Sequence, residues 1–116
     1  MAADQTVTSP FSMSFSRSGG AAVVAATQIW DTSKNPFVCV DHESFSSQAI
    51  SPDSRTITLP VGAYICVFDS SGTPNLNGTY SFVLAVNGTP VDIANGDCAA
   101  TPGSADRHDQ FNLLVR

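Results

Sequence analysis

The chain has 116 residues and a mass of 12.1 kDa, which is enough for one small domain. Hydrophobic residues make up 42% of it, which excludes a disordered chain. The net charge is −5, and the basic residues are scattered, which excludes the basic clusters that bind nucleic acid or anionic membranes. No apolar run approaches the ~20 residues of a membrane-spanning helix. The start MAADQTVTSP lacks the regions of a secretory signal, so we expect use in a cytoplasm or a leader already trimmed.

The shortage of charge is itself informative. Charged residues make up only 13% of the chain, and Lys34 and Glu43 are the only lysine and the only glutamate. Lysine and glutamate are depleted at protein–protein contacts, whereas a free monomer usually carries many of both for solubility. We therefore predict an oligomer whose surface is covered, with a serine- and threonine-coated secreted β protein as the alternative.

The N-terminal residues carry the first strand pattern. Phe11, Met13 and Phe15 alternate with serines, which is typical of a half-buried strand with a hydroxyl-coated outer face. We therefore predict an N-terminal arm that includes the first strand over residues 1–16. A single β-sandwich domain is predicted over residues 17–116.

Strands are also predicted in the middle of the chain. The segment Ala21–Trp30 could form a short helix on its alanines, but its β-branched residues favour a strand. Phe37–Val40 is predicted to be a short apolar strand, and Asp41–Arg55 a polar loop. Ile57 and Leu59 alternate with threonines and predict the next strand.

The second half of the chain contains the most apolar strand. Gly62–Asp69 is apolar on both faces, so it must be covered on both sides, and in so small a chain we expect another subunit to supply the second cover. Thr79–Val86 follows, and Asn87 with Gly88 is the preferred pair for a type I′ hairpin turn. Ala94–Asp109 is predicted to be a long loop. The last strand alternates the apolar residues Phe111, Leu113 and Val115.

This series of short strands and turns predicts an all-β fold, a small antiparallel jelly roll or β-sandwich with an extended N-terminal arm. The run ITLPVGAYICVFD followed by YSFVLAVNGTPV resembles the centre of the C1q/TNF-like jelly roll. The matching residues are Leu59, Gly62, Tyr64, Phe68, Leu84, Val86, Asn87 and Gly88. The resemblance implies a tight homotrimer with aromatic residues along its three-fold axis. The candidate trimer-interface residues are Tyr64, Phe68, Tyr80, Phe82 and Leu84.

Jelly-roll trimers similar to this family serve as extracellular ligand modules, as fibre tips and as decoration or cement proteins of bacteriophage capsids. The low charge and the missing leader favour the last class. We predict a virion structural protein, assembled in the host cytoplasm, that stabilises the shell on the outer capsid surface. Its partner would be the major capsid protein or another virion protein. The candidate capsid-contact residues of the arm are Thr6, Val7, Phe11, Met13 and Phe15.

Two alternatives remain open. One is a receptor- or carbohydrate-binding head domain of a fibre or lectin, because jelly rolls often hold sugars with an exposed aromatic ring and a nearby Asp or Asn. Trp30, Asp31 and Asn35 are the candidate ligand residues. The other is a secreted C1q/TNF-like signalling module.

Catalytic and metal-binding patterns are not expected to contribute. The chain has no Gly-x-Ser-x-Gly sequence, and the local cluster Asp41-His42-Glu43 is interpreted as solvated. We therefore predict no enzyme activity, cofactor or metal. The three cysteines, Cys39, Cys66 and Cys98, match no zinc or redox spacing. They are expected to be reduced, with a bridge from Cys98 to either of the others left open.

Overall fold

The structure is a computed structural model and describes residues 4–19, 23–45, 53–72, 79–97 and 107–116. Within these ranges the chain forms strands and no helix. The strands are β1 (Gln5–Val7), β2 (Phe11–Gly19), β3 (Val23–Asp31), β4 (Val38–Phe45), β5 (Asp53–Ile57), β6 (Gly62–Gly72), β7 (Thr79–Val86), β8 (Thr89–Asp97) and β9 (Arg107–Val115).

The strands form two sheets that pack face to face. The five-stranded sheet has the order β1-β9-β6-β3-β4, and the four-stranded sheet has the order β5-β2-β7-β8. Every pair of neighbours is antiparallel except β1 and β9, which are parallel. This arrangement confirms the all-β sandwich predicted from the sequence.

The core lies between the sheets and is filled by alternate residues of each strand. On β2, Phe11, Met13 and Phe15 are buried while the serines between them are half-buried, which confirms the period-two prediction. The ring of Phe15 lies 6.0 Å from the ring of Phe45 and 6.3 Å from that of Phe68. Phe15 therefore joins the four-stranded sheet to two strands of the five-stranded sheet.

The N-terminal segment is extended, and both of its strands belong to the sandwich. β1 pairs with β9 of the five-stranded sheet, where Val7 is buried and its carbonyl accepts a 3.0 Å hydrogen bond from the backbone N–H of Arg116. β2 lies in the other sheet between β5 and β7 and continues through residues 16 and 17 without a break. The segment thus crosses from one sheet to the other.

Two predicted loops are shorter in the structure than in the sequence interpretation. β4 continues to Phe45 and β5 begins at Asp53, so both ends of the segment Asp41–Arg55 are strand. Phe45 is buried, which anchors the end of β4 despite the polar residues before it. Likewise β8 extends to Asp97 and β9 begins at Arg107, whereas residues 98–106 lie outside the described part.

Other local predictions are confirmed. The segment Ala21–Trp30 contributes β3 and is a strand where it is described. Asn87 and Gly88 have φ values of 49° and 79°, as the type I′ turn between β7 and β8 requires. The backbone N–H of Asn87 donates to the carbonyl of Ser12 at 2.9 Å, and its side-chain Oδ1 accepts from the Ser12 backbone N–H at 2.9 Å. The turn is therefore tied to β2.

Candidate functional site

Three of the five residues expected at a trimer axis lie inside the chain's own core. Tyr64, Phe68 and Leu84 are buried, and the hydroxyl of Tyr64 donates to the carbonyl of Pro60 at 2.8 Å. Buried side chains offer no surface to a second copy, so the structure corrects this part of the interface prediction. The side chains of Tyr80 and Phe82, on β7, lie outside the described part of the chain.

Most of the residues expected to contact a capsid are also buried. Val7, Phe11, Met13 and Phe15 are buried in the core, and of the five only Thr6 is exposed. The prediction that the four apolar residues contact a shell is therefore corrected. The alternation in the sequence correctly marks the face that is covered, but it carries no information about whether this chain or another one covers it.

The three candidate sugar-binding residues do not converge on one site. Trp30 and Asp31 are consecutive on β3, so their side chains point to opposite faces of the sheet. Trp30 is half-buried on the outer face, where its indole N–H donates to Gln28 Oε1 at 3.3 Å. The carboxylate of Asp31 accepts from the hydroxyl and the backbone N–H of Ser33 at 2.7 and 2.9 Å, which lowers the pKa of Asp31. Asn35 is exposed in the turn that follows.

Arg55 organises the polar residues between β4 and β5. Its guanidinium contacts Asp53 at 2.5 Å, lies 3.6 Å from the carboxylate of Glu43 and donates to the carbonyl of Ser44 at 2.7 Å. It also lies 5.2 Å above the ring of Phe45, within the range of a cation–π contact. These contacts join the edges of the two sheets on one side of the sandwich.

Asp41, Cys39 and Cys66 also carry groups that could react or bind a ligand. Burial, followed by the charge of Glu43, raises the pKa of Asp41, whose Oδ2 atom has no hydrogen-bond partner in the structure. Burial, followed by the charge of Asp41, raises the pKa of Cys66 to about 12. Cys39 is exposed, and its thiol donates to the carbonyl of Asp41 at 3.4 Å. In the described ranges no three His, Cys, Asp or Glu side chains come together as metal ligands would.

Among the side chains that the structure describes, the exposed large hydrophobic ones lie at one end of the five-stranded sheet. They are Phe37 (51% exposed), Val38 (49%), Val40 (41%), Val61 (78%) and Leu114 (45%). Val38 pairs with Asp31 of β3, and Asp31 pairs with Tyr64 of β6. Tyr64 pairs in turn with Leu113 of β9. The five exposed residues all lie within a few positions of this row, and we call them the apolar end.

The outer face of the five-stranded sheet is also poor in charge next to the apolar end. Ala63 pairs with Leu114, and both are exposed. In the following row Ile65 pairs with Trp30, and both are half-buried. The central strand β6 is thus covered on its inner face by the core, while its outer face is only partly covered by this chain. The sequence signal for this surface was the apolar pattern on both faces of Gly62–Asp69.

Comparison with known proteins does not extend this description. The chain matches no protein-family model, no curated protein and no solved structure. No helix in the described part of the chain has the length and hydropathy needed to cross a bilayer.

Proposed function

We propose that the chain is a virion structural protein, a capsid decoration or cement protein of a bacteriophage. In this proposal it binds the major capsid protein or another virion protein on the outer capsid surface. The observation that carries the proposal is the apolar end, where five large hydrophobic side chains are exposed at the same end of the five-stranded sheet. A group of large exposed apolar side chains is typical of a protein–protein contact.

The composition of the chain supports a contact of this type. Burial of apolar surface stabilises a complex by about 25 cal/mol per Å², while the ordering of side chains opposes it. Few lysine and glutamate side chains have to be ordered or desolvated, because the chain has one of each. The apolar residues of the N-terminal arm are buried, so we assign the contact role to the apolar end instead.

The mechanism in this proposal is mechanical. The two sheets share one core, and the apolar end would bridge neighbouring shell subunits without catalysis, cofactor, nucleic acid or membrane. The homotrimer implied by the C1q/TNF-like resemblance remains a prediction. Native mass spectrometry under reducing conditions tests it, since a trimer has three times the 12.1 kDa mass.

The test of the proposed function uses virus particles purified from a culture that produces the chain. Mass spectrometry of the purified particles should detect the chain, and particles stripped of it should bind added protein again. The double variant Val61→Glu/Leu114→Glu should bind at least about tenfold more weakly, which corresponds to about 1.4 kcal/mol. The control Thr56→Glu/Thr89→Glu carries the same charges at exposed positions of the four-stranded sheet and should bind like the wild type.

Absence of the chain from the purified particles would overturn the proposed function. Equal binding by the two double variants would overturn the assignment of the apolar end as the contact surface.

A receptor- or carbohydrate-binding head is the second candidate, and the outward position of Trp30 favours it. The hydrogen bond to Gln28 fixes the indole on the outer face, where Gln110 and Asn112 are also exposed. An aromatic ring beside amide groups suits a neutral sugar, which stacks on the ring and exchanges hydrogen bonds with the amides.

Trp30 is the only tryptophan, so its fluorescence reports binding directly. Soluble oligosaccharides of glucose, galactose and N-acetylglucosamine are the probes. A saturable change in emission, together with loss of calorimetric binding in Trp30→Ala but not in Phe37→Ala, would support this candidate. No change with any probe would count against it.

A further inference from the structure

The inference concerns the free edge of β4. Among the residues that the structure describes, β4 is the last strand of the five-stranded sheet and pairs only with β3. On an edge strand, alternate backbone N–H and C=O groups point away from the sheet and can pair with another strand. An extended polypeptide is the partner that satisfies such a row of groups.

The other sheet edges carry features that discourage strand addition. β1 has only three residues, and β8 contains Pro90. β5 contains Asp53 and Arg55, which bind each other and the neighbouring β4. By contrast, the first residues of β4, Val38–Val40, carry no charge and are exposed. β4 as a whole has eight residues, and an exposed, uncharged segment at the edge of a sheet favours association.

We propose that two copies of the chain associate by antiparallel pairing of their β4 edges about Cys39. The two five-stranded sheets would then form one continuous sheet across a two-fold axis. Two-fold contacts, in which the same patch is used on both copies, are the commonest contacts between identical subunits. The proposal concerns the contact between copies, so it can fail while the proposed function holds, and the reverse.

The register follows from the sequence of β4. In a pairing centred on Cys39, each Cys39 faces the other and each Val38 faces Val40 of the second copy. Asp41 then lies opposite Phe37, so the acidic residues of the two copies do not face each other. A register centred on Asp41, His42 or Glu43 would place carboxylates directly opposite one another, which is destabilising. Repulsion between carboxylates therefore favours pairing through the apolar part of β4.

A β-bulge separates the two parts of β4. Ile29 pairs with Asp41 and Trp30 pairs with Cys39, which leaves Val40 as the extra residue. A bulge bends its strand and increases its twist. The bend therefore falls at Val40, just before the acidic part that begins at Asp41, and the proposed pairing is confined to the short apolar part.

The first experiment measures the mass of the native chain under reducing conditions at micromolar concentration. The inference predicts twice the 12.1 kDa mass, in place of the three times that mass that the resemblance implies. Val38→Lys should raise the dissociation constant of the dimer at least about tenfold, because it places a charge in the paired part of β4. The matched control Val61→Lys makes the same change at a more exposed valine outside β4 and should leave the dimer intact.

The second experiment uses Cys39 as a distance probe. Diamide takes one hydrogen from each of two thiols, which forms a disulfide and reduces diamide to its hydrazine. In a Cys98→Ser background we expect a disulfide-linked dimer, which should be lost when Cys39→Ser is added and strongly reduced by Val38→Lys.

Several outcomes would overturn the inference. They are a native mass of one or three chains, equal dimerisation of Val38→Lys and Val61→Lys, or crosslinking that does not depend on Cys39. A mass of three chains would at the same time support the trimer of the resemblance. None of these outcomes bears on whether the chain is present on virus particles, so failure of the inference is distinguishable from failure of the proposed function.

Discussion

Cys39 and Cys66 are chemically identical side chains that the fold places in opposite surroundings. Cys66 is buried on β6, and its burial raises its pKa to about 12, whereas Cys39 is exposed on β4. The thiolate is the reactive form of cysteine. Sequence alone marked both as small residues within apolar strands, because apolar neighbours do not reveal which strand lies at an edge.

We predict that the two cysteines differ in reactivity in the native protein. At pH 8 the thiol of Cys66 is almost entirely protonated and also inaccessible, so an alkylating reagent should modify Cys39 and leave Cys66 intact until the chain unfolds. Peptide mass spectrometry after timed labelling in buffer and in urea distinguishes the sites. Equal labelling of Cys66 and Cys39 in buffer would contradict the burial of β6.

His108 and Asp69 form an exposed pair across β9 and β6. The hydrogen bond to Asp69, together with its charge, raises the pKa of His108 above 6.5. Because the pKa is raised in the folded state, the pair stabilises the folded chain below pH 6.5. This contribution is lost as the pH rises through the pKa of the folded state.

The prediction for this pair is that Asp69→Asn lowers the titration midpoint of His108 toward 6.5, as measured by NMR. Asp109→Asn should lower it less, because the charge of Asp109 is the smallest of the causes that raise it. The unfolding free energies of the wild type and Asp69→Asn should differ at acidic pH and converge at alkaline pH. A midpoint that does not respond to Asp69→Asn would contradict the pairing.

At the scale of elements, the turn between β7 and β8 combines a backbone requirement with a side-chain contact. Asn87 has a positive φ and accepts hydrogen bonds from the backbone and the hydroxyl of Ser12 at 2.9 and 3.4 Å. Gly88 also has a positive φ, but a Cβ atom added there would contact nothing within 4 Å. A substitution at Asn87 therefore removes a hydrogen-bond acceptor, whereas a substitution at Gly88 only strains the backbone.

We predict that Asn87→Ala destabilises the chain by about 2 kcal/mol, because it strains the left-handed backbone and leaves the Ser12 N–H without its acceptor. Gly88→Ala should destabilise it by only about 1 kcal/mol, since it adds backbone strain alone. Asn87→Gly relieves the strain without restoring the acceptor, so its stability should lie above that of Asn87→Ala. Urea unfolding measures all three, and a wild-type stability for Asn87→Ala would contradict the tie to β2.

Most individual strands could be predicted from the sequence, because alternation of apolar and polar residues identifies a strand that is covered on one face. Phe11, Met13 and Phe15 on β2 and the pair Asn87-Gly88 are the clearest cases. β1 and the end of β4 could not be predicted in this way. Val7 and Phe45 are single buried residues in polar surroundings, and their burial depends on contacts with strands far away in the sequence.

At the scale of the whole molecule, the main difference from the sequence interpretation is the origin of the cover for the apolar strands. Tyr64 and Phe68 were expected at a contact between subunits, yet both are buried in the core of the same chain. The order of the strands in the two sheets decides this outcome, and no local pattern encodes that order. The apolar end could not be predicted either, because its residues come from β4, from β9 and from the segments just before β4 and β6.

We predict that deletion of residues 1–10 lowers the melting temperature. The deletion removes β1 and the buried side chain of Val7, whose burial contributes about 1.5–3 kcal/mol, and uncovers β9. In the full-length chain, Val7→Asp should also lower the melting temperature. Thr6→Ala, at an exposed position, should leave it unchanged. If the deleted chain melted like the wild type, the N-terminal segment would be a free arm instead of part of the sandwich.

The parallel pair of β1 and β9 also determines how the molecule responds to tension. A force that pulls the chain ahead of β1 and beyond β9 in opposite directions makes the two strands slide along each other. The ladder bonds that join Gln5–Val7 to Leu113–Val115 are then loaded together in shear, whereas an antiparallel hairpin pulled at its open end loses its bonds one at a time. The edge of the five-stranded sheet therefore acts as a mechanical clamp that must break as a unit before the sandwich can be pulled apart.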